Sequence, residues 1–129
     1  MDIQKTPIPA WHKIINDRDL SGLSGILADE VVFFSPVMHT PQAGKALAAL
    51  YLSAAGSILL NGTFRYVREI IGEHDAVLEF TADLDGVIIN GVDIIKWNDA
   101  GKIIEFKVML RPLKAIAKIQ EKMAAMGSK

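Results

Sequence analysis

The order of the elements that the sequence predicts indicates an α+β protein with a mostly antiparallel sheet. Helical patterns come first, with one strand among them, and four strand patterns then follow in succession before a last helix. Short turn sequences separate those strands, among them Asp85-Gly86, and Asp-Gly is a strong hairpin signal. Separation of helices from a run of hairpin-linked strands is typical of the α+β class.

The helices are predicted from their start signals and from apolar spacing. Thr6-Pro7 is a typical helix start, and apolar residues recur at helical spacing as far as about Asn16. Residues 17–19 can cap a second, short helix. Residues 45–60 follow as an almost uncharged helix, so we expect most of its surface to be buried. Pro112 opens a last helix over about 112–126.

Strands are predicted where β-branched and aromatic residues alternate or run together between turns. The first, at Val31–Phe34, ends at Ser35-Pro36 and leads into a loop over 36–44. The four later strands are expected at about 63–72, 75–84, 87–97 and 103–110.

Composition bounds the function. The chain has 129 residues, which predicts a single domain over 1–129, and 14 basic against 15 acidic side chains do not favour a nucleic-acid partner. No cysteine is present, which excludes disulfides and thiol catalysis. The first residues lack a signal-peptide pattern, and the uncharged stretch 46–64 holds too many polar residues and glycines for a membrane span. We expect a cytoplasmic protein that does not bind membranes.

Asp93 is the main candidate for chemistry because it interrupts an otherwise apolar strand. Strand alternation places it on one face with Ile89, Gly91, Ile95 and Trp97. A buried carboxylate is costly without a partner, since burial favours its neutral form. The sequence leaves three interpretations open: a neutral acid that donates a proton in a ligand pocket, a structural carboxylate bonded to a partner such as the Trp11 indole N–H, or a half-exposed side chain on a tilted strand.

The chain resembles the nuclear transport factor 2-like superfamily, and its SnoaL-like branch in particular. The resemblance rests on the element order, on Leu27–Phe33 with Ser35-Pro36, on Gly44-Lys45, and on Val92–Trp97 followed by Gly101-Lys102-Ile103. It covers nearly the whole chain. It implies a curved sheet wrapped by helices into a cone with an internal apolar pocket, and a homodimer formed through the sheet.

Ketosteroid isomerases belong to this superfamily, and they combine an aspartate base with an oxyanion hole of a tyrosine and a protonated aspartate. The resemblance places the protonated aspartate at Asp93. The base position is Ser35 and the tyrosine position is Trp11, and a serine does not replace a carboxylate base without its own activator. The familiar isomerase mechanism is therefore not expected.

Other activities of the superfamily lack their residues as well. Limonene epoxide hydrolases need an aspartate on the last strand, where this chain has about Val108, and an arginine that strand 75–84 does not contain. The polyketide cyclases of the SnoaL branch need an acidic residue on the last strand, which carries Phe106, Val108 and Leu110 instead.

The sequence therefore predicts a binder of a small apolar molecule, with Asp93 as its acid or hydrogen-bond donor and catalytic candidate. An isomerase- or lyase-like enzyme and a non-enzymatic ligand-binding or dimeric interaction module with a structural Asp93 both stay open. Three scattered histidines without ligand spacing predict no metal site, and no cofactor is expected. The expected pocket lining is Trp11, Phe33, Ser35, Met38, His39, Tyr51, Phe80, Phe106, Val108 and Leu110.

Overall fold

The structure is a computed structural model, and it describes residues 2–127. The helices are α1 (Ile8–Asp17), α2 (Lys45–Leu59) and α3 (Leu113–Gly127), with short 3-10 helices at Ile3–Lys5 and Leu20–Ile26. The strands are β1 (Leu27–Phe34), β2 (Gln42–Ala43), β3 (Arg65–Ile71), β4 (Asp75–Leu84), β5 (Val87–Trp97) and β6 (Ile103–Arg111).

The predicted α+β class is confirmed, with three local corrections. β1 begins at Leu27 rather than at Val31, because Leu27 already pairs with Ile103 on β6. The predicted loop over 36–44 contains β2, which folds back and pairs antiparallel with β1. The predicted second helix is a 3-10 helix, as expected of a segment whose glycines disfavour an α-helix.

One curved sheet of 6 strands, in the order β2-β1-β6-β5-β4-β3, organises the molecule. All neighbouring strands are antiparallel except β1 and β6, which are parallel. Asp93 lies on β5 near the middle of the sheet, opposite Leu78 on β4 and Val108 on β6.

The two faces of the sheet differ. The inner face packs against the helices through fully buried side chains such as Phe33, Phe80 and Phe106. The outer face keeps large apolar side chains in solvent, with Ile88 at 58% and Met109 at 52% exposure. The helices therefore cover only the inner face, and the site must be sought between them and that face.

α2 covers the inner face with an almost uncharged surface, as its sequence predicts. Its side chains at Leu52, Ala55 and Leu59 are buried against the rest of the core. Within residues 2–127, the helices are all too short or too polar to cross a membrane.

Candidate functional site

Asp93 is buried at the centre of the inner face and is only 6% exposed. Regular alternation along β5 turns it inward together with Ile95 and Trp97. The half-exposed interpretation of Asp93 is therefore wrong, because the strand is not tilted out of the core. The carboxylate lies among apolar side chains, where its charged form is poorly solvated.

Tyr66 is the hydrogen-bond partner of Asp93. Its hydroxyl donates to Asp93 Oδ2 at 2.5 Å, and the Trp11 indole Nε1–H donates to the same hydroxyl oxygen at 2.8 Å. The Trp11 indole, which the sequence analysis names as an example of a partner, does not bond Asp93 directly, since Tyr66 lies between them. Three elements, α1, β3 and β5, thus meet in one chain of hydrogen bonds.

Gly91 makes room for this arrangement. Tyr66, Phe80 and Gly91 face one another across β3, β4 and β5. A Cβ on Gly91 would lie 2.5 Å from Phe80 Cζ and 2.8 Å from the Met109 carbonyl oxygen. The missing side chain therefore lets the Phe80 ring approach the backbone of β5 closely, next to Tyr66.

Burial raises the pKa of Asp93 from 3.8 to about 7, and the hydrogen bond from Tyr66 opposes part of that rise. The pKa of Tyr66 is raised well above its usual value, first by burial and then by the neighbouring Asp93. Near neutral pH, Asp93 is therefore present both as an acid and as a carboxylate, while Tyr66 keeps its proton.

Asp93 forms part of the wall of a cavity of about 30 Å³ beneath α2. No hydrogen bond reaches its Oδ1 from any residue in 2–127, so this oxygen is the one open to a ligand. The rest of the wall is apolar apart from the indole of Trp11. It consists of Trp11, Ile15, Leu52, Ala55, Gly56, Leu59, Leu60, Phe64, Phe80, Phe106 and Val108.

The residues predicted to line one pocket are divided among separate places. Trp11, Phe80, Phe106 and Val108 line the Asp93 cavity, and Phe33 is packed into the core without lining any of the cavities described. The others lie along two surface grooves. Ser35, Met38, His39, Val108 and Leu110 line a groove of about 750 Å³ beside β6, while Met38 and Tyr51 line a groove of about 490 Å³ between α2 and α3.

Ser35 does not line the Asp93 cavity. Its hydroxyl accepts a hydrogen bond from the Val37 backbone N–H at 3.2 Å, which ties it to its own loop. The residue at the superfamily's base position therefore serves the loop, and among residues 2–127 Asp93 is the only titratable side chain that lines its cavity. Within residues 2–127, His, Asp and Glu side chains form no group of three that could hold a metal ion.

Tyr66 is the site residue that sequence analysis missed. Counting back from the β3–β4 turn without interruption pairs Tyr66 with Thr81 and points it outward. A bulge between Tyr66 and Arg68 shifts the register so that Tyr66 pairs with Phe80 and turns inward. Period-two alternation contains no signal for such a bulge, although Tyr66 is one of only 2 tyrosines in the chain.

Comparisons with solved structures agree with this architecture. A steroid delta-isomerase from Pseudomonas aeruginosa is 32% identical over 94% of this chain and 88% of its own, with a TM-score of 0.89. An uncharacterised bacterial protein with a cystatin-like fold from Silicibacter pomeroyi is 28% identical over 95% of this chain and 85% of its own, at 0.86. An NTF2-like protein of unknown function from Mesorhizobium loti, 18% identical over 81% and 88%, shares the fold at 0.70.

A curved, mostly antiparallel sheet with helices on its inner face defines an α+β fold that matches the cone-shaped fold of these structures. The chain belongs to the nuclear transport factor 2-like superfamily and has the ketosteroid isomerase-like fold. No protein-family model matches the chain, and no curated protein does. The fold indicates a ligand-binding or isomerase-like role.

Proposed function

We propose that the protein binds a small, largely apolar molecule in the cavity beneath α2, with Asp93 as its polar anchor. The observation that carries the proposal is the free Oδ1 of a buried, apolar-walled Asp93. An acid with a pKa of about 7 can donate a hydrogen bond to a ligand carbonyl at neutral pH. A wall of aromatic and aliphatic side chains with one converging polar group is typical of small-molecule sites.

Binding requires α2 to move. A cavity of about 30 Å³ holds only a water or so, whereas ligand pockets usually measure about 300–1,000 Å³. Leu52, Ala55 and Leu59 of α2 form the side of the cavity opposite the sheet. Displacement of this helix would enlarge the space directly over Asp93.

Asp93 would serve as the acid in any isomerase- or lyase-like reaction at this site. Protonation of a substrate carbonyl is one half of such chemistry, and a base is the other half. Among residues 2–127, the cavity wall has no titratable group besides Asp93. Ligand binding is therefore the primary function proposed, and catalysis would depend on a base supplied by the substrate itself.

The test uses 5-nonanone, an apolar ketone with a single oxygen, titrated calorimetrically into the protein. Ala55→Val narrows the cavity from α2 and should weaken binding about tenfold, since a methylene added to or removed from a hydrophobic pocket changes binding by about 1–3 kcal/mol. Ala54→Val is the matched control, because Ala54 lies on the same helix but lines the α2–α3 groove. Absence of binding, or equal effects of the two variants, would overturn the proposal.

We also propose a homodimer formed through the outer face of the sheet. Its support is the row of apolar residues that this face exposes, in which Val92 pairs with Met109 and Ile94 pairs with Val77. Ile70 and Ile88 at its margins are 62% and 58% exposed. Large exposed apolar patches mark interaction sites on soluble proteins.

Sedimentation velocity tests the dimer. Met109→Lys places a charge in the centre of the face and should yield monomers. Leu113→Lys is the control, because Leu113 is 81% exposed but lies at the start of α3. A native protein that sediments as a monomer at all concentrations would exclude the dimer.

A further inference from the structure

A polar pocket adjoins the Asp93 cavity at its α1 side. It measures about 340 Å³, and Ile15, Leu60 and Phe64 belong to the walls of both spaces. Its other residues are mostly polar or charged, in contrast to the cavity: His12, Asn16, Arg18, Arg65, Tyr66 and Glu69. The apolar Asp93 cavity and the polar pocket thus lie on either side of these three side chains.

Two arginines in this pocket have no partner. Arg18 ends α1 and Arg65 begins β3, and within residues 2–127 neither guanidinium takes part in a hydrogen bond or an ion pair. Arg68, on the same strand as Arg65, instead lies 3.5 Å from the carboxylate of Glu79. Guanidinium groups pair with carboxylates in a planar, bidentate geometry, so two free ones in a single pocket favour an anionic group.

The pocket's own carboxylate is already engaged. Glu69 Oε2 lies 2.7 Å from His12 Nε2, and the two side chains are hydrogen-bonded. No other acidic residue lines the pocket. An anion that enters the pocket would therefore meet the two arginines and the Asn16 amide, while the Glu69 carboxylate stays paired with His12.

Tyr66 connects the two spaces. Its hydroxyl bonds Asp93 at the cavity, and the residue also forms part of the polar pocket's wall. One side chain thus borders both the site at Asp93 and the pocket that holds the arginines. A flexible ligand that passes between Ile15, Leu60 and Phe64, the side chains common to both walls, would reach the two sites.

We infer that the ligand of the Asp93 cavity is an amphipathic carboxylic acid, whose carboxylate binds Arg18 and Arg65 while its apolar, oxygen-bearing part lies beneath α2. This inference rests on the proposed function, since it assigns the chemical class of the same ligand. The class that fits is a keto acid with an aliphatic body.

The test compares 6-oxodecanoate with its methyl ester, which keeps the ketone and the chain but removes the charge. The acid should bind native protein about tenfold more tightly than the ester, because hydrogen bonds to charged groups contribute about 1.5–3 kcal/mol. In the double variant Arg18→Gln/Arg65→Gln, the acid should bind no more tightly than the ester, while the affinity for the ester should stay unchanged. Arg68→Gln, which removes the same charge from a residue outside the pocket, should keep the tenfold preference for the acid.

The outcomes separate the two proposals. If acid and ester bind native protein equally, or if the double variant keeps the tenfold preference, the carboxylate site is refuted while ligand binding at Asp93 stands. If the ester and 5-nonanone both fail to bind, the proposed function is refuted, and tight binding of the acid alone would then make the arginine pocket an independent anion site. If none of the three binds, both proposals are refuted.

Discussion

The Tyr66 hydroxyl donates a hydrogen bond to Asp93 across the intervening strand β4, and this contact affects the pKa of Asp93. Burial favours the neutral acid, while the phenol stabilises the carboxylate, so the pKa of Asp93 comes to about 7. The phenol in turn is held by the Trp11 indole at 2.8 Å. The following predictions depend on this arrangement.

Asp93 should make the protein less stable as the pH rises. Its pKa is 3.8 unfolded and about 7 folded, so the folded state binds the proton more tightly and the ionised form opposes folding. The loss should develop between about pH 4 and 7 and reach on the order of 4 kcal/mol, at about 1.36 kcal/mol per pKa unit. Urea unfolding of native protein and of Asp93→Asn across this range measures it as the difference between the two. A difference that does not change with pH would contradict the raised pKa.

Tyr66→Phe should raise the pKa of Asp93 further and destabilise the fold. The variant removes the hydrogen bond that favours the carboxylate, and it leaves the Trp11 N–H without its acceptor, at a cost of about 1–3 kcal/mol. Carbon NMR of the aspartate carboxyl groups gives the pKa, and urea unfolding gives the stability. Tyr51→Phe is the control: the Tyr51 hydroxyl has no hydrogen bond within residues 2–127, so the change should be nearly neutral.

Gly91→Ala should destabilise the protein by about 1–3 kcal/mol, the usual cost of overpacking. Phe80 and Leu110 would have to shift, and the Met109 carbonyl at 2.8 Å belongs to the backbone, which yields little. Thermal unfolding measures the loss. Gly25→Ala provides the comparison, because a Cβ at Gly25 would meet nothing within 4 Å. A Gly91→Ala protein as stable as Gly25→Ala would show that the row from Tyr66 to Gly91 is not tightly packed.

The affinity for 5-nonanone should fall as the pH rises above about 7. Only the protonated form of Asp93 can donate to a ketone oxygen, and that form is lost through the folded pKa. We expect about a tenfold loss for each pH unit well above the pKa. Asp93→Asn keeps an N–H donor but does not titrate, so its affinity should not depend on pH. Parallel pH profiles of the two proteins would mean that Asp93 does not donate to the ligand.

The sequence was sufficient to predict the fold class, most of the helices and strands and the place of Asp93, but not β2 or the residues that surround Asp93. Alternation along 87–97 and the turns on either side place Asp93 inward, and both strands β4 and β5 have their predicted bounds. These features depend on local patterns of residue type. The inward placement of Asp93 follows from these local patterns.

The hydrogen-bond partner of Asp93 and the residues around its cavity depend on strand register and on packing between distant parts of the chain. Tyr66 turns inward only because of a bulge, and Arg18 and Arg65 line one pocket because α1 and β3 are joined through the Trp11–Tyr66 and His12–Glu69 hydrogen bonds. The predicted lining residues Ser35, His39 and Tyr51 line surface grooves instead of the Asp93 cavity, because their positions depend on how α2, α3 and the β1–β2 loop pack. None of these relationships follows from spacing along the chain.

The indole of Trp11 limits the routes by which Asp93 can exchange its proton. An indole nitrogen donates but does not accept, so the hydrogen bonds run in one direction, from the Trp11 indole through Tyr66 to Asp93, and Trp11 cannot take up a proton. A proton on Asp93 therefore has no outlet along this chain. Asp93 itself lines the space beneath α2, so that opening of this helix would admit a ligand and would also let the buried acid exchange its proton with solvent.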